Sequence, residues 1–250
     1  MMNRIPKRLK QEPLIEAIWQ VQFEPTGDMQ IGDLLPGMLY AALRNDHPQL
    51  QLHRLPAADI PHQVAQIDPN LRHVAKYRME EIGLPFLFQV GDRTVTLNCR
   101  RPYAGWDAFK AKTVALIDIL DQSGLIPVPQ RHSLRYIDLL EMEPAPNLSA
   151  LQLSICLGNL ETQAQPLQIR LELRAENCMH IVQIATPAEA ALPEGIRIGS
   201  VIDIETLPVP EATSWQGIRD QLDQLHTSSK QLFFEQILTT EAIERLEPEY

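Results

Sequence analysis

The chain has 250 residues, 44% hydrophobic and 22% charged, with a net charge of −10. Its length allows one large domain or two small ones with a sizeable core, and the negative charge disfavours a broad nucleic-acid-binding face, which needs clustered Lys and Arg. No apolar run approaches the roughly 18 residues of a membrane span, and three widely spaced cysteines without a CxxC predict reduced thiols in a cytoplasmic protein.

Residues 1–12 carry Arg4, Lys7, Arg8 and Lys10 and read as a flexible basic lead-in. No apolar core follows them, so they do not read as a signal peptide. From Leu14 to Phe23, apolar residues at Ile15, Ala17, Trp19, Val21 and Phe23 recur at period two, which predicts a strand with one buried face. Leu34, Leu35, Met38, Leu39 and Leu43 repeat at helical spacing and predict a helix over 31–44, with Pro36 tolerated near its start. Short strands are expected around Leu50–Arg54, Gln63–Ile67 and Val74–Met79. Gly91-Asp92-Arg93 between two apolar runs predicts a β-hairpin over 84–100. Trp106 opens a helix over 106–121 with Phe109, Thr113, Leu116, Ile117 and Leu120 on one face, and Gly124 is placed as its C-cap. Ser133–Met142 reads as a strand.

Pro144-Ala145-Pro146-Asn147 is the expected join between an N-terminal half, 13–143, and a C-terminal half, 147–250. Four strands follow, near 151–157, 167–174, 179–186 and 200–207. In the second, Ile169, Leu171 and Leu173 are expected to face inward, with Gln168, Arg170, Glu172 and Arg174 outward. Trp215, Ile218, Leu222, Leu225, Ser229 and Leu232 form one stripe of a long helix over 214–237, capped by Thr213 or Ser214. A short helix from Glu241 to Leu246 completes an acidic tail: residues 211–250 hold eight Asp or Glu against three Lys or Arg. The fold class is α+β, an antiparallel and curved sheet with helices packed on one side. Trp106/Phe109/Lys110 against Trp215/Ile218/Arg219 suggests two pseudo-duplicated halves.

Several segments together resemble a known family. They are Glu12-Pro13-Leu14-Ile15-Glu16-Ala17-Ile18, Tyr103-Ala104-Gly105-Trp106, Leu134-Arg135-Tyr136-Ile137-Asp138 and the C-terminal His226 with Phe233-Phe234. The chain resembles, from Glu12 to Tyr250, a sporadically distributed family of uncharacterised bacterial proteins of about this length. The resemblance implies a horizontally moving gene and is compatible with an accessory role in bacterial defence. Members often place Asp after the C-terminal His; here Thr227 stands there, which counts against a His-Asp catalytic reading. The resemblance brings no catalytic residues with it.

Side chains with reactive chemistry are scattered. Arg131 and Arg135 share one face of a strand and suit a phosphate or carboxylate. On the C-terminal helix, Asp223, His226 and Lys230 fall on one flank, an arrangement that can serve acid–base work or partner binding. Cys178 and His180 point the same way from a strand, but two ligands make no zinc site, and a packing role is expected. His47, His53, His62 and His73 show no ligand spacing and are expected at the surface. There is no GxGxxG, GxxxxGK[ST], HExxH or GxSxG, and no cofactor or metal is expected. The leading expectation is a non-catalytic cytoplasmic interaction or regulatory module with a protein partner. That partner would meet Arg131, Arg135, His226 and Lys230, or the acidic tail. The alternatives are an RNA-binding or RNA-processing protein on a duplicated ferredoxin-like scaffold, and a small-molecule binder or enzyme with a pocket lined by Tyr136, His226 and an Arg.

Overall fold

The structure is a computed structural model that describes residues 5–25, 31–141, 148–161 and 165–250. The expected join at Pro144–Asn147 lies outside the described residues. In chain order the elements are β1 (Arg8–Leu9), β2 (Leu14–Phe23), α1 (Ile31–Leu43), β3 (Gln51–Arg54), α2 (His62–Ile67), β4 (Ala75–Glu80), β5 (Phe86–Gly91), β6 (Thr94–Arg100) and α3 (Trp106–Ser123). They continue with β7 (Pro129–Glu141), β8 (Cys156–Leu157), β9 (Leu160–Glu161), β10 (Leu167–Arg174), β11 (Cys178–Leu192), β12 (Gly195–Pro208), α4 (Trp215–Gln231), α5 (Thr240–Arg245) and β13 (Pro248–Glu249). Nine strands form one open antiparallel sheet, ordered β10-β11-β12-β7-β2-β6-β5-β4-β3, with helices on one side. The fold is thus α+β, as the alternating strands and striped helices predict.

The chain divides into two compact units that interleave in sequence. The first comprises residues 1–16, 135–209 and 223–250; the second comprises 17–134 and 210–222. Strands β2 and β7 and helix α4 each contribute to both.

In the second unit, the alternation of β2 survives intact: Ala17, Trp19, Val21 and Phe23 are fully buried. The β5–β6 hairpin pairs Phe86 with Cys99 and Val90 with Val95, around the turn at Gly91-Asp92-Arg93. Gly124 adopts φ 66° at the end of α3, a left-handed conformation that suits a residue without a Cβ. The first turns of α4 are anchored within this unit. Ser214 Oγ accepts from the Gly217 N–H at 3.1 Å, and Trp215 Nε1–H donates to the Ile126 carbonyl at 3.1 Å. Arg219 reaches two carboxylates of α3, Asp118 at 2.6 Å and Asp121 at 3.0 Å. Gln63–Ile67, expected as a strand, lies in the short helix α2. Its N–H groups turn back to carbonyls of the preceding Pro61, as Val64 and Ala65 both donate to it.

In the first unit, β11 and β12 form the longest hairpin, paired from Cys178↔Pro208 to Leu192↔Gly195, with a register shift between Ala185 and Ala188. Both strands run further than the expected 179–186 and 200–207. Their common face carries Val182, Ile184, Ile202 and Ile204. These pack with Leu140, Leu148, Leu151, Phe233, Phe234, Ile237 and Leu238. The C-terminal helix does not continue regularly to 237: Leu232–Ile237 is a π-helical turn, with Leu238 N–H bonded to the Phe233 carbonyl at 3.0 Å. The extra residue in that turn lets the adjacent Phe233 and Phe234 both bury, edge to face at 5.1 Å. The segment is then pinned: Gln152 N–H donates to the Ile237 carbonyl at 2.7 Å, and Thr239 N–H to Ala150 at 3.0 Å. Of the expected strand at 151–157, only Cys156–Leu157 is a strand and Leu151 forms a bridge to Leu238.

The basic lead-in is not loose over its described part. β1 pairs antiparallel with β13, Arg8 opposite Glu249 and Leu9 opposite Pro248. Lys10 lies 3.9 Å from Glu247. The positive start and the acidic end answer each other.

Two glycines allow a test of this packing. A Cβ on Gly199 would lie 2.2 Å from the Leu140 carbonyl oxygen, whereas one on Gly37 of α1 would meet nothing within 4 Å. Gly199→Ala is expected to lower stability by about 1–3 kcal/mol through forced separation of backbones. Gly37→Ala is expected to raise it by about 0.5–1 kcal/mol through helix propensity. Urea unfolding of both variants checks the opposite signs.

Candidate functional site

The residues singled out in the sequence fall in both units. Arg131 is half-buried and belongs to the second unit; Arg135, His226 and Lys230 belong to the first. The Arg135 guanidinium is already occupied. Its Nε donates to Asp203 Oδ1 at 2.7 Å and its second nitrogen to Asp203 Oδ2, a bidentate pair. That hydrogen bond raises the Arg135 pKa above its ordinary value. Asp203 sits on β12, far along the chain, and period-two reading of either strand gives no sign that the two meet.

Asp138, three residues beyond Arg135, is only 5% exposed. Burial, and then the neighbouring Asp203 charge, push its carboxyl up to about 8. Asp138 is therefore protonated at neutral pH.

His226 meets a residue that its helical spacing does not bring to it. Its Nδ1 shares a 2.9 Å hydrogen bond with the Tyr136 hydroxyl, and the two rings lie 5.9 Å apart. Tyr136 and His226, named together in the pocket alternative, do meet. Lys230 is half-buried, and desolvation lowers its pKa.

Cys178 and His180 do point the same way, and they gather two residues that sequence reading missed. His180 Nδ1 and Thr206 Oγ1 are 2.9 Å apart, while Nε2 lies 3.1 Å from Ser228 Oγ and 3.5 Å from Cys178 Sγ. Ser228 Oγ and Cys178 Sγ are 3.0 Å apart. Burial lowers the His180 pKa, so the ring is neutral, with one donor and one acceptor nitrogen. The Thr206 and Ser228 hydroxyls rotate to serve either tautomer. The register pair His180↔Thr206 supplies half of the cluster, and α4 the other half. Among the described residues, no three His, Cys, Asp or Glu side chains gather as a metal ion requires.

His47, expected at the surface, is buried in the second unit. It takes a 3.2 Å contact from Lys112 Nζ at Nε2 and faces Glu81 at 3.5 Å with Nδ1. Burial, and then Lys112, lower its pKa.

Among the described residues, the first unit also exposes large apolar side chains, several of them on β10 and β12. Ile196 is 68% and Ile198 48% exposed, on the β11–β12 arm. By period two they share a face with the buried Ile202 and Ile204. On β10 the expected inward face is covered only in part: Ile169 packs against the core, while Leu171 is 39% and Leu173 38% exposed. β10 ends the sheet, and among the described residues only one of its edges is paired. No helix among the described residues is long and apolar enough to cross a membrane. Neither models of known protein families nor curated protein sequences give a match to the chain.

Asp138 generates a pH prediction. Unfolded, it loses its proton near pH 4; folded, it keeps the proton to about pH 8. Between these values the unfolded state binds fewer protons, so stability falls as pH rises, by up to about 1.4 kcal/mol per pH unit. Below that window both states are protonated and the loss vanishes. Asp138→Asn, which keeps the neutral shape, is expected to be more stable than wild type at pH 7 and equal to it near pH 4. Denaturant midpoints across pH 4–8 measure the difference.

Proposed function

We propose that the chain is a protein-interaction module of the cytoplasm that recruits a protein partner through the β11–β12 arm. The observation that carries this is the arm's aliphatic row. Ile196 and Ile198 continue the buried face of Ile202 and Ile204 outward, beyond the side chains that cover the core. Burying such a pair stabilises a complex by roughly 1.5–3 kcal/mol per side chain, which favours an occupant with its own apolar surface.

The polar clusters support the same reading from the other side. Arg135 is consumed by Asp203, the Cys178–His180 pair by Thr206 and Ser228, and His226 by Tyr136. The acidic tail is likewise engaged by the lead-in. These groups serve the fold, and the arm replaces them as the contact surface. The resemblance to sporadically distributed bacterial proteins supports an accessory setting such as defence.

Affinity purification of the tagged protein from its own host, against an Ile196→Asp/Ile198→Asp variant, tests this reading. Wild type is expected to retain a stoichiometric protein that the variant loses, with circular dichroism unchanged. Equal retention by the two, or none by wild type, would remove the basis of the proposal.

A further inference from the structure

We infer that two copies of the chain associate through β10, edge to edge and antiparallel about a two-fold axis, with Leu171 of one copy opposite Leu171 of the other. This surface is distinct from the arm and goes beyond the reading above.

The starting point is the strand itself. β10 is Leu-Gln-Ile-Arg-Leu-Glu-Leu-Arg, paired along its whole length with β11 on one side. Its other edge has no strand neighbour among the described residues. An edge of this length presents a row of backbone donors and acceptors to any matching strand. β10 contains no Pro, no Gly and no Lys, its pairing with β11 shows no register shift, and the charges it carries, Arg170, Glu172 and Arg174, are of both signs. Its apolar face is half open, with Leu171 and Leu173 each exposed by more than a third.

The charge pattern selects the occupant. Two-fold antiparallel pairing puts directly opposed residues on the same face, so the register can be read off the sequence. With the axis at Leu171, Arg170 falls opposite Glu172 of the second copy, and Glu172 opposite its Arg170. Gln168 meets Arg174 on the same face. On the other face, Leu171 meets Leu171 and Ile169 meets Leu173. Moving the axis one residue back sets Arg170 against Arg170. Moving it one residue forward sets Glu172 against Glu172 and Arg170 against Arg174. Opposite charges directly across a pair are favourable and like charges unfavourable, so of these three registers, which keep most of the strand paired, the one at Leu171 is complementary to itself.

Arg170 and Glu172 already touch within one strand, at 2.6 Å, and both are about half exposed. Pairing extends that contact into an alternating ring of four charges instead of breaking it. The chain's overall net charge of −10 opposes association at long range. β10 itself holds two Arg against one Glu, so the contact is not locally repulsive.

Sedimentation of the full chain over a concentration series tests the inference. Wild type is expected to dimerise. Arg170→Glu and Glu172→Arg are each expected to weaken the dimer at least about tenfold, since both symmetric pairs become like-charged. The double variant R170E/E172R restores opposite pairs and is expected to dimerise again. An equal mixture of the two single variants is expected to form a heterodimer, although neither self-associates. Both side chains are exposed, and circular dichroism shows whether the fold is kept. Wild type that stays monomeric throughout would overturn the inference. So would single variants that associate as wild type does, or a double variant and a mixture that both fail to recover. The Ile196→Asp/Ile198→Asp variant is expected to dimerise normally, so loss of a partner at the arm and loss of the dimer at β10 are separate results.

Discussion

The first unit depends on how one sheet face is covered. Phe233, Phe234, Ile237 and Leu238 close over Val182, Ile184, Ile202 and Ile204, and they do so because the end of the long helix loosens into a π-turn. A regular helix advances about 100° per residue, so adjacent residues cannot both point fully at one surface. The wider turn, fixed by backbone bonds to Ala150 and Gln152, resolves that conflict. Coverage by this segment is finite. Strand residues beyond its reach keep the same alternating pattern but face solvent, which is why Ile196 and Ile198 are exposed while Ile202 and Ile204 are not.

Periodicity made much of the architecture legible. The alternation in Leu14–Phe23, the stripe from Trp215 to Leu232 and the turn at Gly91-Asp92-Arg93 each state a local preference that tertiary packing did not override. Periodicity says which side of a strand is apolar; it does not say whether anything lies over that side. β10 shows the difference: Ile169 packs against the core, while Leu171 and Leu173, on the same face by pattern, are each exposed by more than a third. Strand length was equally hidden. The arm of β11 and β12 runs through Pro187, an Ala-rich stretch and Gly195, which carry no strong strand signal and are held by cross-strand pairing.

The side chains with reactive chemistry were visible as types, but their partners were not. Arg135 read as suited to a phosphate or carboxylate; that the carboxylate is Asp203, distant in sequence, follows only from strand order. Cys178 and His180 were legible as neighbours, yet Thr206 and Ser228 enter through register and helix placement. Asp138 gave no signal beyond its position on a strand, and its neutral state follows from burial beside another acid. In each case a long-range contact decides whether a group faces outward or serves the fold.

The short ribbon of β1 and β13 has a geometric corollary. Residues near the two ends of the chain are hydrogen-bonded neighbours: Lys7 donates to the Glu249 carbonyl at 2.7 Å. The ribbon therefore ties the segment before β2 to the segment after α5, so that a change which frees β13 also strips β1 of its strand partner.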